Sequence, residues 1–251
     1  MVSSEIISQH YAPEAAHVGI YGRGCGWLGA RFAELTRTII AMARESSGTQ
    51  GRAHWETVHR TRDPATFAWY QASPTISMDL IRSFGAGPRS AVIDIGGGSS
   101  VLVDRLLEAG YTDLAVLDIS EEALAIAKRR LASAGDAVEW IWEDILQYRF
   151  ARSYGIWHDR AAFHFLTDPD RQQRYVDRLR ANLQAGGVAI IATFSLDGPE
   201  QCSGLPVQRY SEETLSHKLG GQFRPLRFDR EAHTTPHGKI QHFLYGCYER
   251  Q

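Results

Sequence analysis

The sequence lacks an excess of positive charge, paired cysteines and any long apolar run. Its 251 residues carry a formal net charge of −2, so no basic field attracts the phosphates of nucleic acid, and we expect no nucleic-acid partner. Three scattered cysteines, Cys25, Cys202 and Cys247, argue against a disulfide framework and against a cysteine-based metal site. No stretch approaches the roughly 18 apolar residues of a membrane span, and no signal peptide is visible, so we expect a cytoplasmic protein without a membrane partner.

The chain divides near residue 50. In "WLGARFAELTRTIIAMARE" the apolar residues from Leu28 to Met42 recur every three or four positions, which predicts an amphipathic helix. The following "RESSGTQGR" has the composition of a linker. We therefore predict that residues 1–50 form a helical appendage, acting as a lid or mediating a dimer, and that residues 51–251 form the main domain.

From residue 88 onward, short apolar runs alternate with helical stretches, which predicts βαβ units and a mostly parallel sheet. The final sixty residues differ, because two β-rich runs flank the turn "TTPHG", and we expect them to form an antiparallel hairpin that closes the sheet. The predicted fold class is thus α/β. The five earlier strands are expected at residues 91–95, 114–119, 138–145, 154–159 and 188–194.

The stretch "VIDIGGGSS" places Asp94 two residues ahead of a glycine turn that includes Gly96 and Gly98. Glycine leaves the backbone bare, so a ligand can approach it closely, and ligands of such sheets bind at the carboxyl ends of the strands. Two more acids, Asp118 and Asp144, stand at the next two strand ends. A dinucleotide fingerprint needs a third glycine where this chain has valine, which argues against a nicotinamide cofactor.

The acids, the glycine turn and the closing hairpin together resemble the class I S-adenosylmethionine (SAM) dependent methyltransferases, from about residue 54 to the C-terminus. This resemblance implies a Rossmann-like fold with a seven-stranded sheet, and SAM as the cofactor. It places Asp118, with the neighbouring Ile119, at the ribose hydroxyls, Asp144 at the adenine amino group and the backbone of Ile145 beside the ring. Carboxylates suit the ammonium and hydroxyl groups of SAM, since they form charge-assisted hydrogen bonds.

The segment "WHDRAAF" resembles a stretch of the thiopurine and thiol S-methyltransferases, in which the arginine stands beside the sulfur acceptor. That resemblance implies Asp159 and Arg160 as an active-site pair, and His158 is a departure from the pattern. A cation next to a thiol lowers its pKa, so Arg160 or His158 is expected to favour a soft nucleophile. An amine or hydroxyl acceptor would instead need Asp159 or a histidine as base.

Three aromatic residues, Trp55, Trp69 and Tyr70, flank the predicted first helix of the main domain. Aromatic faces attract a sulfonium cation, and methyltransferases of this class often cover SAM with such a lid. We therefore place these residues among the cofactor-binding set. Cys202 lies in a loop beyond the fifth strand, where it is expected to overhang the acceptor.

Two other functions stay open beside methyl transfer to a small-molecule acceptor. The acceptor is alternatively a protein side chain, or an oxygen or nitrogen of a natural product. A different class is a SAM-binding protein without activity, which the retained Asp159 and Arg160 disfavour. Release of S-adenosylhomocysteine with any acceptor would exclude an inactive SAM-binding protein.

Overall fold

A computed structural model describes residues 51–85 and 87–251. The predicted helical appendage at residues 1–50 lies outside the described residues. The helices are α1 (51–61), α2 (Thr75–Phe84), α3 (Leu102–Glu108), α4 (Glu121–Leu131), α5 (Pro169–Asn182) and α6 (Glu212–Leu219). The strands are β1 (Val92–Ile95), β2 (Leu114–Asp118), β3 (Val138–Trp142), β4 (Tyr154–Arg160), β5 (Leu183–Phe194), β6 (Gln201–Cys202), β7 (Leu205–Pro206), β8 (Phe223–Thr234) and β9 (Ile240–Arg250).

Seven of the strands form one sheet in the order β3-β2-β1-β4-β5-β9-β8. Strands β1 to β5 are parallel, whereas β9 runs antiparallel to both β5 and β8. This confirms the predicted mostly parallel sheet with an antiparallel hairpin at the C-terminus. Strands β6 and β7 pair only with each other, in a small separate hairpin.

Two strand boundaries differ from the prediction by more than one residue. The third strand was expected to reach residue 145 but ends at Trp142, because Asp144 accepts a hydrogen bond from the backbone of Leu146 and turns the chain. The fifth strand begins at Leu183, five residues earlier than predicted. Its first residues include the glycine pair Gly186 and Gly187.

Hydrophobic residues on both faces of the sheet are buried. Ile93, Trp157 and Ile191 lie in the cluster that packs against α5, and Val92 and Ile190 lie in the cluster that packs against α2 and α3. Strands covered on both faces read as nearly continuous apolar runs, which explains the sequence pattern. The core therefore holds the strand ends in fixed register.

Side-chain caps begin three of the helices. Ser120 accepts from the backbone of Ala123 at 3.1 Å and starts α4. Asp168 caps α5, whose first residue is a proline, and Ser211 forms a capping box with Thr214 at the start of α6. Such caps fix the residue at which each helix starts. No helix within the described ranges is both long enough and apolar enough to cross a bilayer.

Candidate active site

A cavity of about 430 Å³ lies at the carboxyl ends of β1, β2 and β4. Strand order reverses between β1 and β4, which is where open α/β sheets place their ligands, and the volume falls within the usual range for a small-molecule site. We call one side the acidic half, lined by Asp94, Gly96, Gly97, Gly98, Asp118, Ile119, Glu143, Asp144 and Ile145. We call the other side the aromatic half, lined by Trp55, His59, Phe67, Trp69, Tyr70, Arg160, Phe165, Cys202 and Leu205.

The glycine turn of the acidic half brings bare backbone against two carboxylates. A Cβ at Gly97 would lie 2.5 Å from Oδ2 of Asp94, and a Cβ at Gly98 would lie 2.5 Å from Oδ2 of Asp118. Gly98 also has a φ of +36°, and Gly96 a φ of +68°, in the region that favours glycine. Any side chain here would displace the acids, so the turn keeps both carboxylates open to a ligand.

Asp94 is held by a buried hydrogen-bonded chain. The Nδ1 atom of His158 donates to Oδ1 of Asp94 at 2.7 Å, and Nε2 of the same ring is bonded to the Ser77 hydroxyl at 2.9 Å. All three side chains are almost fully buried. Because both ring nitrogens are engaged, His158 orients the carboxylate and has no free nitrogen to act as a base.

Asp118 lies at the end of β2, 7% exposed, and accepts from the backbone of Ser120 at 2.8 Å. Burial raises the pKa of its carboxyl group to about 7, and the nearby charge of Asp94 adds to this shift. Asp144 is buried just beyond β3, with Ile145 half-buried next to it. The structure thus brings the predicted cofactor residues of all three strand ends to one side of one cavity.

The aromatic half is a cluster of rings from separate segments. Trp55 of α1 meets Phe165 edge-on at 5.0 Å between ring centroids, and meets Trp69 edge-on at 5.8 Å. Phe67 stacks on Trp69 at 4.5 Å. Tyr70 lines the same cavity, so the three predicted aromatic residues do lie beside the site.

Arg160 lines the cavity, but most of its hydrogen-bonding capacity is used within the protein. Its Nε donates to the Tyr245 hydroxyl at 2.8 Å, Nη1 to the Trp69 carbonyl at 3.0 Å, and Nη2 to Glu231 at 3.4 Å. Gln71 donates to the other oxygen of Glu231 at 2.6 Å. Arg160 therefore anchors the segment of Trp69 and Gln71 to the sheet, and its charge is balanced by a carboxylate.

The predicted pair of Asp159 and Arg160 is not brought together. Side chains alternate along a strand, so Asp159 points to the opposite face of β4 from His158 and Arg160 and does not line the cavity. Its carboxylate accepts from the backbone of Phe163 at 3.1 Å and from the Tyr175 hydroxyl at 2.5 Å. Burial raises its pKa to about 6. This fully enclosed carboxylate has a structural role in place of the catalytic role expected from the sequence.

Cys202 is buried in β6 and lines the aromatic half. Burial raises the pKa of its thiol to about 11, which disfavours the reactive thiolate, and the side chain contributes to the shape of the cavity. Three other residues that line or support the aromatic half were not predicted from the sequence, namely His59, Gln71 and Glu231. Glu231 lies 160 positions from its partner Gln71, and no local pattern marks such a contact.

Within residues 51–85 and 87–251, no group of three or more histidine, cysteine, aspartate or glutamate side chains is placed to hold an ion.

The central part of the sheet is similar to a known protein family. A model of the family described as "Methyltransferase domain" matches residues 92–187, from β1 into β5. The matched region contains the parallel strands and the three acids at their ends, so the chain is similar to the class I SAM-dependent methyltransferases over this central part. The residues present fit SAM, since the acidic half offers carboxylates for an ammonium group and for hydroxyls, against a turn that a Cβ would fill.

Among curated proteins, the chain is similar to the "eEF1A lysine and N-terminal methyltransferase" of Bos taurus. The two are 30% identical over 141 residues, which is 53% of this chain and 20% of that protein. The human protein of the same name is 29% identical over 141 residues. The chain therefore matches about a fifth of the length of these relatives.

Solved structures show the same fold at lower identity. A SAM-dependent methyltransferase from Anabaena variabilis is 15% identical, with a TM-score of 0.64 over 82% of this chain and 95% of that one. The 1,6-didemethyltoxoflavin-N1-methyltransferase of Burkholderia thailandensis is 21% identical, with a TM-score of 0.56 over 96% of this chain and 94% of that one. The second alignment spans nearly the whole of both chains.

Proposed function

We propose that the protein transfers a methyl group from SAM to a small aromatic acceptor. The atom that receives the methyl group is the sulfur of a thiol or a similarly soft nucleophile. The observation that carries this proposal is the division of the cavity. Within the described chain, the carboxylates that line it are Asp94, Asp118, Glu143 and Asp144, and all belong to the acidic half. The opposite side offers flat rings and a charge-balanced arginine, which suit a flat, uncharged molecule.

The acidic half supplies the binding groups for the methyl donor. SAM, when bound, provides an electrophilic methyl group on its sulfonium centre. Asp94, oriented by His158, is suited to the ammonium group, and Asp118 to the ribose hydroxyls. Asp144 and the backbone of Ile145 are suited to the adenine. What remains for the protein is to align the acceptor, which can contribute roughly 7 to 11 kcal/mol in favourable cases.

The side chains that line the aromatic half favour a thiol over an amine as the group that accepts the methyl. A lysine amine is protonated at neutral pH, with a pKa near about 10.4, and needs its proton removed before it can attack. A thiol, with a pKa near about 8.5, requires much less of the enzyme. No carboxylate of the described chain lines the aromatic half to attract an ammonium group, so a soft, weakly acidic nucleophile fits better.

A protein acceptor is the second candidate, favoured by one observation. The bovine relative is named for lysine and N-terminal methylation. The relative from Burkholderia thailandensis, which has a similar length, is named for N1 methylation of a small heteroaromatic compound. The two names imply acceptors of different size. We therefore base the choice between a protein and a small molecule on the lining of the cavity.

Release of S-adenosylhomocysteine with matched acceptors tests the proposal. Thiophenol and phenol share a ring and differ in one atom, while benzylamine and a lysine-containing peptide represent amines. We expect turnover with thiophenol to exceed turnover with phenol and to be negligible with both amines. Turnover with the peptide and none with thiophenol would overturn the small-molecule proposal. SAM binding without turnover of any acceptor would instead support a non-catalytic SAM-binding protein.

A further inference from the structure

His59 is a buried polar side chain in the wall of the aromatic half. It is 8% exposed and lines the cavity. Its ring lies edge-on to Phe67, with centroids 5.1 Å apart, and 6.5 Å from Trp69. A flat acceptor held among these rings would therefore meet one titratable group among apolar neighbours.

The tautomer of His59 is fixed by its own helix. Nδ1 lies 3.0 Å from the carbonyl oxygen of Trp55, and a carbonyl can only accept, so Nδ1 carries a proton. In the neutral ring the other nitrogen, Nε2, then presents a lone pair. Within residues 51–85 and 87–251, no group forms a hydrogen bond with Nε2. Burial lowers the pKa of the ring, opposed by the bond to Trp55 and by the charges of Glu56 on α1 and Glu122 on α4.

The other candidates for a base at this site are less suitable. Both ring nitrogens of His158 are engaged, and Asp159 points to the opposite face of the sheet. His164 is fully buried and does not line the cavity. His54 does line it, and among the described residues its buried Nε2 has no hydrogen-bond partner and its Nδ1 has no bond that fixes the tautomer. His54 is therefore the comparison residue for the experiment.

Resting on the proposed function, we propose that His59 is the general base that accepts the acceptor's proton at Nε2. The bond between hydrogen and the nucleophilic atom breaks, and the proton passes to Nε2. The electron pair left on that atom forms the new bond to the methyl carbon. The old carbon–sulfur bond breaks and its electron pair stays on sulfur, so the sulfonium becomes a neutral thioether. A neutral imidazole is a weak base, which matches a thiol better than a phenol of pKa about 10.

Two substitutions separate the nitrogens of His59. His59→Asn keeps an amide N–H near the position of Nδ1 and removes Nε2, whereas His59→Gln places a non-basic polar atom near Nε2. His54→Asn tests the competing histidine. His217→Asn, on the exposed surface of α6, is the matched control. Circular dichroism and the SAM dissociation constant establish that each variant is folded and binds its cofactor.

With phenol, and with thiophenol at a pH below the pKa of its free thiol, we expect His59→Asn and His59→Gln to lower kcat by roughly 10²- to 10⁴-fold. SAM affinity should stay unchanged, and the acid limb of the wild-type pH profile should disappear. The loss for thiophenol should shrink once the pH exceeds the pKa of the free thiol, since solvent then supplies the thiolate. His217→Asn should match the wild type.

Nitrogen-15 NMR of the histidine side chains gives a readout that needs no turnover. Near pH 7.5 we expect His59 to be protonated at Nδ1 and unprotonated at Nε2, and a protonated Nε2 would overturn the proposal. Retention of the acid limb in His59→Asn, or its loss in His54→Asn alone, would overturn the base role while methyl transfer stands. A wild type that methylates neither probe would overturn the proposed function and the base role together.

Discussion

The two halves of the cavity are assembled in different ways. The acidic half comes from three short stretches at residues 94–98, 118–119 and 143–145, each at the end of a neighbouring parallel strand. The aromatic half joins α1, the segment after it, the end of β4 and the β6–β7 hairpin. It is held by contacts such as Arg160 with Glu231, 71 positions apart, and His233 with the Ala68 carbonyl, 165 positions apart. One half is encoded locally, and the other depends on long-range packing.

The halves also differ in how they handle charge. Asp118 in the acidic half is buried near Asp94, and burial raises its pKa to about 7. In the aromatic half Arg160 is paired with Glu231 inside the protein. The acidic half is therefore electrostatically incomplete without its cofactor, while the aromatic half is balanced by itself. Substitutions should affect cofactor binding in the first and stability in the second.

The largest effect is expected from Arg160→Met, which breaks the anchor of the aromatic half. The change leaves the Glu231 carboxylate, 14% exposed, without its cation, and removing one partner of a fully buried pair costs about 3 to 5 kcal/mol, which is the upper bound here. Arg160→Lys keeps the charge but loses the planar fork of donors, so an intermediate loss is expected. Denaturant unfolding measures the change in the free energy of unfolding.

Arg105→Met is the control for that experiment. Arg105 forms an exposed pair with Glu108 at 2.7 Å, and such surface pairs contribute about 0 to 1 kcal/mol. If Arg160→Met lost no more stability than this control, the anchoring role would be wrong. A folded Arg160→Met protein that bound SAM normally would show that the acidic half is independent of the anchor.

The next effect is a pH dependence of SAM binding that originates in the acidic half. The ionised form of Asp118 accepts hydrogen bonds from hydroxyls, and below about pH 7 the protonated form prevails in the cofactor-free protein. The SAM dissociation constant should therefore rise by up to about tenfold for each pH unit below that value. Calorimetry between pH 5.5 and 8 measures it. A flat wild-type profile would contradict the assigned role, and Asp118→Asn should be flat.

The same carboxylate makes the opposite contribution to the stability of the cofactor-free protein. The unfolded chain ionises Asp118 near its ordinary pKa of 3.8, whereas the folded protein does so only near 7. Between these values a rise in pH favours the unfolded state, so stability from this group falls across that window. We expect Asp118→Asn to raise the melting temperature of the cofactor-free protein at pH 8 more than at pH 4. Equal shifts at both pH values would contradict the raised pKa.

A smaller loss of stability is expected when Glu56 of α1 is replaced. The Glu56 carboxylate accepts from the backbone of Glu121 at 2.5 Å and of Glu122 at 3.2 Å, so it caps α4 beside Asp118. Loss of a cap costs roughly 0.5 to 2 kcal/mol. Hydrogen exchange at the first turn of α4 should therefore accelerate in Glu56→Ala. The exposed Glu213→Ala on α6 should leave it unchanged, and the same rate in both variants would contradict the cap.

The smallest effect is expected at Ala161, directly after β4 in the wall of the cavity. Its φ of +72° lies in the left-handed region, which costs a non-glycine residue roughly 1 to 2 kcal/mol. Ala161→Gly removes this strain but adds about 0.5 to 1 kcal/mol of entropy cost. A slight gain in stability should result, measured as a melting temperature. Ala162→Gly, at a φ of −96°, should lose stability, and equal losses would contradict the strain.

The fold and the acidic half were predictable because their signals are local. Alternating apolar runs located the strands, and the acids followed their strands directly. The end of β3 was misplaced because the turn made by Asp144 resembles a continuing strand. The predicted pairing of Asp159 with Arg160 was wrong, although the sequence contained the information to avoid it. Side chains alternate along β4, so two consecutive residues of that strand point to opposite faces. His59 and Glu231 had no local signal, because their partners are set by the packing of distant segments.

Calorimetric titration of SAM into the wild type, Asp118→Asn and Asp136→Asn at pH 8 tests whether the acidic half binds SAM. Asp136 is exposed on the turn before β3 and is the matched carboxylate control. We expect one SAM site per chain, weakened roughly 10- to 100-fold in Asp118→Asn, in line with the loss of charge-assisted hydrogen bonds, and unchanged in Asp136→Asn. Equal affinity in all three proteins, or no binding to the wild type, would contradict the assignment of the acidic half to SAM.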